Sequence, residues 1–140
     1  MKSGNRTRGQ SIIEFALLFP LLFFMITGLF DLGRAVVYLS ALNSAVREGT
    51  RWTIVQPKNT ITPALVESHM RSLNFYGIND LATNSTITPV FVYAAEDPTI
   101  TITATYNFVP ITPGMKELLG SGTGIPLKAE STMLLTPVSK

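Results

Sequence analysis

At 140 residues the chain has the length of a single domain, yet charged residues make up only 14% of it, against a usual ~25% in soluble proteins. A mean hydropathy of +0.29 also argues against a free soluble globule. The net charge is only +2, and Lys2, Arg6 and Arg8 all precede the first acidic residue. Such a tail suits a membrane flank, not the basic, aromatic-bearing face that nucleic-acid binding needs.

Cysteine is absent, which excludes disulfides, thiolate catalysis and cysteine metal sites but leaves an extracytoplasmic location open. Residues 1–9, MKSGNRTRG, hold no large apolar residue beyond Met1 and are expected to be a disordered cytoplasmic leader. Phe15 to Phe30 then runs without a charge. As a helix this run would cover ~24 Å, short of the ~30 Å hydrocarbon core. Starting at Ser11 supplies the missing turn, but it carries Glu14 into the membrane's edge. An ionised carboxylate costs on the order of 2.5 kcal/mol or more toward the centre, and calls for a partner.

Three readings compete for this segment. A secretory signal peptide has a basic start and an apolar core, but its core is shorter and small-residue cleavage signals follow it. Here Asp31-Leu32-Gly33-Arg34 follows and helical patterning continues. A plain signal anchor explains the hydrophobicity and leaves Glu14 as a tolerated interfacial residue. In the third reading the chain is cut after Gly9, which creates an α-amino cation on Gln10. Glu14, one turn on, could then pair with such an amine on a neighbouring subunit, making two charges acceptable in lipid and fixing the axial register between helices.

The stretch Gly9-Gln10-Ser11-Ile12-Ile13-Glu14-Phe15 resembles the prepilin processing site of the tight-adherence (Tad/Flp) branch of type IV pili. The longer pattern RGQSIIEFALLFPLLFFMITGLFDLGR, followed by Ala45-Val46-Arg47-Glu48-Gly49-Thr50-Arg51, resembles the TadE-like pseudopilin family over roughly residues 8–52. Phe15 stands where major pilins of this branch usually carry Tyr, and Gln10 where type IV pilins elsewhere often begin with methylated Phe. The resemblance implies cleavage by prepilin peptidase between Gly9 and Gln10. It further implies subunit packing and register through Glu14 and Phe15, and partner contacts at Arg34, Arg47, Glu48 and Arg51. The implied partners are other pilin or pseudopilin subunits and the Tad assembly platform, with a role in assembly or initiation of the adhesive pilus.

The basic leader predicts a single-span protein of the cytoplasmic membrane, with the N-terminus inside and everything after about Asp31 outside. Leu32, Val36, Leu39, Leu42 and Val46 recur at three- and four-residue steps, so the helix should continue as one amphipathic rod to about residue 55. Asp31, Arg34, Asn43, Arg47 and Arg51 fall mostly away from that stripe. Asp31 and Arg34, three apart, are expected to pair on the surface for a few tenths of a kcal/mol. Pro20 should kink the span or open its hydrogen bonds. Gly28 and Gly33 add bending or close helix contact, or are simply tolerated.

Residues 56–62 read as a linker. Thr62 and Pro63 read as the cap and first position of a short helix, with Val66, Met70 and Leu73 on one face and an end near Gly77. His69, the one histidine, has no neighbouring ligand types and is expected to be a satisfied or surface residue. Thr99 to Val109 alternates with period two, Ile100, Ile102, Ala104, Tyr106 and Phe108 against the threonines and Asn107. Partner strands are expected at Ile87 to Tyr93, joined through Ala94 to Pro98, and at Leu127 to Leu135. Pro89 places the first of these at an edge.

The expected fold is therefore α+β. A long N-terminal transmembrane spine (10–55, spanning to about 31) carries a small domain (63–140) of one short helix and an antiparallel sheet of about three strands. Gly120 to Gly124 lacks the strand, helix and lysine of a phosphate loop, and Asn84-Ser85-Thr86 is a bare glycosylation sequon. Glu96 and Asp97 sit in a turn without a second acidic pair. No catalytic, metal or cofactor constellation is recognisable, so the expectation is a structural subunit. The rival is an uncut, membrane-anchored binding module.

Overall fold

The computed structural model describes residues 6–57, 60–73, 78–92, 98–115 and 124–135. Helix α1 runs over Arg6–Ile54 as 49 residues, and α2 over Pro63–Ser72. A six-residue α3 (Asn79–Asn84) follows, then strands β1 (Thr86–Val92), β2 (Thr99–Phe108) and β3 (Ile125–Leu134). At ~1.5 Å per residue α1 is a rod of roughly 73 Å. It starts at Arg6, upstream of Gly9, so residues 6–9 are helical where the leader was expected to be disordered. Nothing in Arg6-Thr7-Arg8-Gly9 breaks a helix, and adding residues to one already nucleated costs little. The rod also continues through Pro20 without interruption.

The lower and upper parts of α1 live in different surroundings. Every residue from Gly9 to Ile26 is exposed, and the most apolar window has no residue buried within the protein. The helix is thus long and apolar enough to cross a membrane once, and none of the described residues buries that part of it. The upper part meets the sheet. Leu42 and Val46 are wholly buried there, as the stripe predicted, and each is worth ~1.5–3 kcal/mol of transfer free energy. At its lower end the predicted stripe is wrong, because Leu32 and Val36 are 64% and 61% exposed. The inward face instead reads Asp31, Ala35, Tyr38, Ala41, Ala45, Gly49, Thr50 and Thr53. Small residues let the sheet come close, which a stripe chosen by hydrophobicity alone does not capture.

The sheet order is β1-β2-β3, antiparallel throughout, with β2 in the middle. Ile100, Ile102, Ala104, Tyr106 and Phe108 all face the core. The threonines opposite them lie half-exposed, and Thr101 and Thr132 hydroxyls meet at 2.8 Å across β2 and β3. Pro89 sits on β1, an edge strand with one side unpaired, where a missing N–H is harmless. β3 pairs Leu134 with Thr99 and Ile125 with Phe108. The expected joining turn lies outside the described residues except for Pro98, as do Tyr93, Gly77 and Gly120 to Thr123.

α2 begins as expected: Thr62 has extended backbone, and its hydroxyl accepts the Leu65 N–H at 3.3 Å. Val66 and Met70 are buried. It ends at Ser72, earlier than predicted. α3 was not anticipated; it buries Leu81, and Asp80 accepts a hydrogen bond from the Tyr106 hydroxyl. Burial and the Asp80 carboxylate together raise the Tyr106 pKa well above its ordinary value, so the phenol stays protonated as the donor. Arg71 ties these pieces together, donating to Glu67 at 2.9 Å and to the carbonyls of Thr83 and Ser85.

Candidate functional site

The residues singled out by sequence share one rod but not one site. Gly9, Gln10, Glu14 and Phe15 occupy its first turns, all exposed. Among the described residues, nothing beyond its chain neighbours and the helix's own backbone lies within 4 Å of the position a Cβ would take at Gly9. The Gln10 carboxamide donates to Glu14 Oε1 at 3.2 Å, one turn along the same helix. Phe15, Phe19 and Phe23 follow as a ladder with ring centroids 5.7 and 6.5 Å apart. Thr27 returns its hydroxyl to the Phe23 carbonyl at 2.9 Å, which removes its polarity from the apolar face.

Twenty residues above Glu14, or ~30 Å by helical rise, Arg34 is engaged within the chain. It bonds Asp31 at 3.2 Å, and its guanidinium lies 5.1 Å from the Phe108 ring centre and 5.7 Å from that of Tyr38. The Asp31–Arg34 pair is present, but Asp31 is not the surface residue expected. It is 6% exposed. One carboxylate oxygen accepts the Ile111 N–H at 2.9 Å, and the other takes the N–H and hydroxyl of Thr112 at 2.8 and 2.6 Å. Burial alone would raise its pKa. The Ile111 and Thr112 bonds, helped by Arg34, outweigh that and hold it below the ordinary carboxylate value. Asp31 stands just beyond the apolar run that ends at Phe30, and it fastens the segment after β2 to the spine. Sequence spacing pointed to Arg34 alone, because the other donors lie 80 positions away.

The Arg47-to-Arg51 motif divides between two faces. Arg47, Glu48 and Arg51 are exposed and make no ion pair among the described residues. Gly49 and Thr50 point inward; Thr50 bonds the Val46 carbonyl and the Ser131 hydroxyl, the latter at 2.8 Å. A Cβ at Gly49 would lie 2.0 Å from the Met70 sulfur. Next to this junction His69 stacks on Trp52, with ring centres 4.0 Å apart. Among the described residues no three His, Asp or Glu side chains converge as metal ligands.

Residues 9–51 match the family described as TadE-like protein. The likeness is to the spine. No curated protein and no solved structure gives a significant match.

The TadE-like segment begins at Gly9 and stops at Arg51, so it contains every site residue named from the sequence and excludes the sheet and α2. Within it, Glu14 and Arg47 present their side chains outward, whereas Asp31 and Gly49 serve contacts to the chain's own outer domain.

Proposed function

We propose that the chain is a minor pilin or pseudopilin of a Tad/Flp-type adhesive pilus, acting structurally rather than as an enzyme. Prepilin peptidase cuts between Gly9 and Gln10, a bond in the first turn of α1, where helix ends fray. The new Gln10 amine of one subunit then meets Glu14 of another in the bilayer, and the exposed aromatic ladder beginning at Phe15 packs between helices. Arg47, Glu48 and Arg51, exposed on the upper rod and without an ion pair among the described residues, offer contacts to further subunits or the Tad assembly platform. The N-terminus stays cytoplasmic and the sheet domain faces outward. The observation that carries this reading is the exposed Gly9–Gln10–Glu14 unit at the start of an unbroken TadE-like helix.

N-terminal sequencing of the membrane-extracted protein, from cells with prepilin peptidase, should find Gln10 first. Gly9→Ala should accumulate uncut precursor. Recovery of only Met1-initiated chains would refute processing. Glu14→Ala should leave cleavage largely intact and reduce incorporation into a pilus complex by roughly tenfold, the effect of ~1.4 kcal/mol in a pairing equilibrium. Unchanged assembly would end the charge-pairing role.

One observation favours the rival, an uncut membrane-anchored binding module. The Gln10 carboxamide already gives Glu14 a hydrogen-bond donor within the intact chain. The same N-terminal sequencing separates the two.

A further inference from the structure

We infer that residues 109–115 of the outer domain lie in the interfacial layer of the outer leaflet, as a second lipid contact beside α1. This rests on reading α1 as a membrane span with the sheet domain outside.

Position comes first. Asp31 draws Ile111 and Thr112 down onto the spine, and the chain then descends further. A Cβ placed at Gly28 would lie 3.8 Å from the Met115 methyl, and Phe24 forms one groove with Thr112 to Met115. Gly28 and Phe24 belong to the uncharged run that ends at Phe30, so at ~1.5 Å per residue they lie about 3 and 9 Å below its end. Interfacial elements occupy this depth, with apolar surface sunk ~5–10 Å into the headgroup and acyl boundary.

The chemistry of the segment fits the same layer. Val-Pro-Ile-Thr-Pro-Gly-Met carries no charge, and Ile111 is 70% exposed in the free chain. Irregular backbone is tolerated near lipid only where its polar groups are satisfied. Pro110 and Pro113 have no N–H. Ile111 and Thr112 give theirs to Asp31, and Met115 donates to the Thr112 carbonyl at 3.2 Å. That last bond closes a turn with Pro113 second and Gly114 third at φ 76°, the pattern of a type II turn. The turn thus presents apolar side chains while the N–H groups of Ile111, Thr112 and Met115 and the Thr112 hydroxyl are taken up inside the protein.

The absence of cysteine makes the test clean. Single-cysteine variants Ile111→Cys and Met115→Cys of the full chain would carry an environment-sensitive dye in phosphatidylcholine vesicles. A quencher is attached to the lipid acyl chains in one sample, and iodide is added to the water in another. Thr88→Cys on β1 is the dry-of-lipid control; its partner Thr103 adjoins Ile102, which packs at Gly49, ~30 Å up the rod from Gly28. Met25→Cys, in the apolar run, reports the span itself.

Lipid-borne quencher should dim dyes at 25, 111 and 115 severalfold more than at 88, with iodide giving the reverse order. If 25 is quenched by lipid while 111 and 115 behave like 88, the proposal fails and the anchor stands. Protection of 111 and 115 from both quenchers, with cross-linking between copies, would assign the surface to another subunit and also overturn it. No lipid quenching at 25 would remove the span, and this contact with it.

Discussion

Asp31→Ala should lower the stability of the outer domain by about 3 kcal/mol and release residues 111 and 112 from the spine. Hydrogen bonds to an ionised group are each worth ~1.5–3 kcal/mol, and Asp31 accepts three from Ile111 and Thr112 besides its bond to Arg34. The sum is not reached, because the three act as one cluster and because Arg34, with a side chain 36% exposed, can turn toward water once its partner is lost. What remains is the cost of leaving the Ile111 and Thr112 N–H groups without an acceptor. Hydrogen exchange in detergent micelles checks this directly: protection at those two amides should fall in Asp31→Ala, and Asp31→Asn, keeping one acceptor oxygen, should lie between. Unchanged protection would show that the clamp carries no energy. The pH dependence has a definite sign. A pKa depressed by folding gives stability that is fully present above the unfolded value of ~3.9 and is lost as pH falls through the lower folded value. The loop should therefore remain fastened at neutral and mildly acidic pH, coming away only in strong acid.

What could be read in the sequence depended on how local the cause was. The period-two run in β2 determines its own faces, so Ile100, Ile102, Ala104, Tyr106 and Phe108 fell on the core side as expected. Thr62 caps α2 through a bond to an N–H only three residues on, and Pro89 needs only an unpaired edge. Asp31 was misjudged for the opposite reason. Its charge and its neighbour Arg34 look like a surface pair, and nothing nearby discloses that the chain returns 80 positions later with three donors. The stripe through Leu32 and Val36 failed on a related point: large apolar residues mark a buried face only where the surroundings are water. Next to a membrane, or in a subunit meant for other subunits, the exposed face is apolar too. The face turned to the chain's own sheet can then be built from Ala41, Ala45 and Gly49. The candidate site divided in the same way. Gly9, Gln10 and Glu14 form a local pattern, legible at once, whereas the inward half of the Arg47-to-Arg51 motif depends on Met70 and Ser131, which no spacing rule connects to it.

Gly49→Val should destabilise the outer domain by about 3 kcal/mol, at the upper end of overpacking costs. Most substitutions of a mid-helix glycine stabilise a helix, by ~1 kcal/mol for alanine and less for a β-branched residue. Here that gain is outweighed. The first carbon added at Gly49 would meet the Met70 sulfur at 2.0 Å, the Met70 Cγ at 3.1 Å and the Ile102 Cδ1 at 3.3 Å. Met70 is wholly buried, so its sulfur is not a free end that can swing into solvent. The strain therefore passes to α2 and β2, the two elements that α1 holds in place. A double-mutant cycle identifies the cause. Met70→Ala alone should cost 2–5 kcal/mol or so through the cavity it leaves. In the Gly49→Val background the same change supplies the room that valine needs, so the pair should cost at least 1 kcal/mol less than the sum of the singles. Denaturant midpoints of the four proteins in micelles give that coupling. Strict additivity would mean that Gly49 is required by something other than the approach of α2. The coupling expected here makes the glycine of the Arg-Glu-Gly-x-Arg pattern a contact point of the fold, leaving Arg47, Glu48 and Arg51 as the part of that motif free to face other molecules.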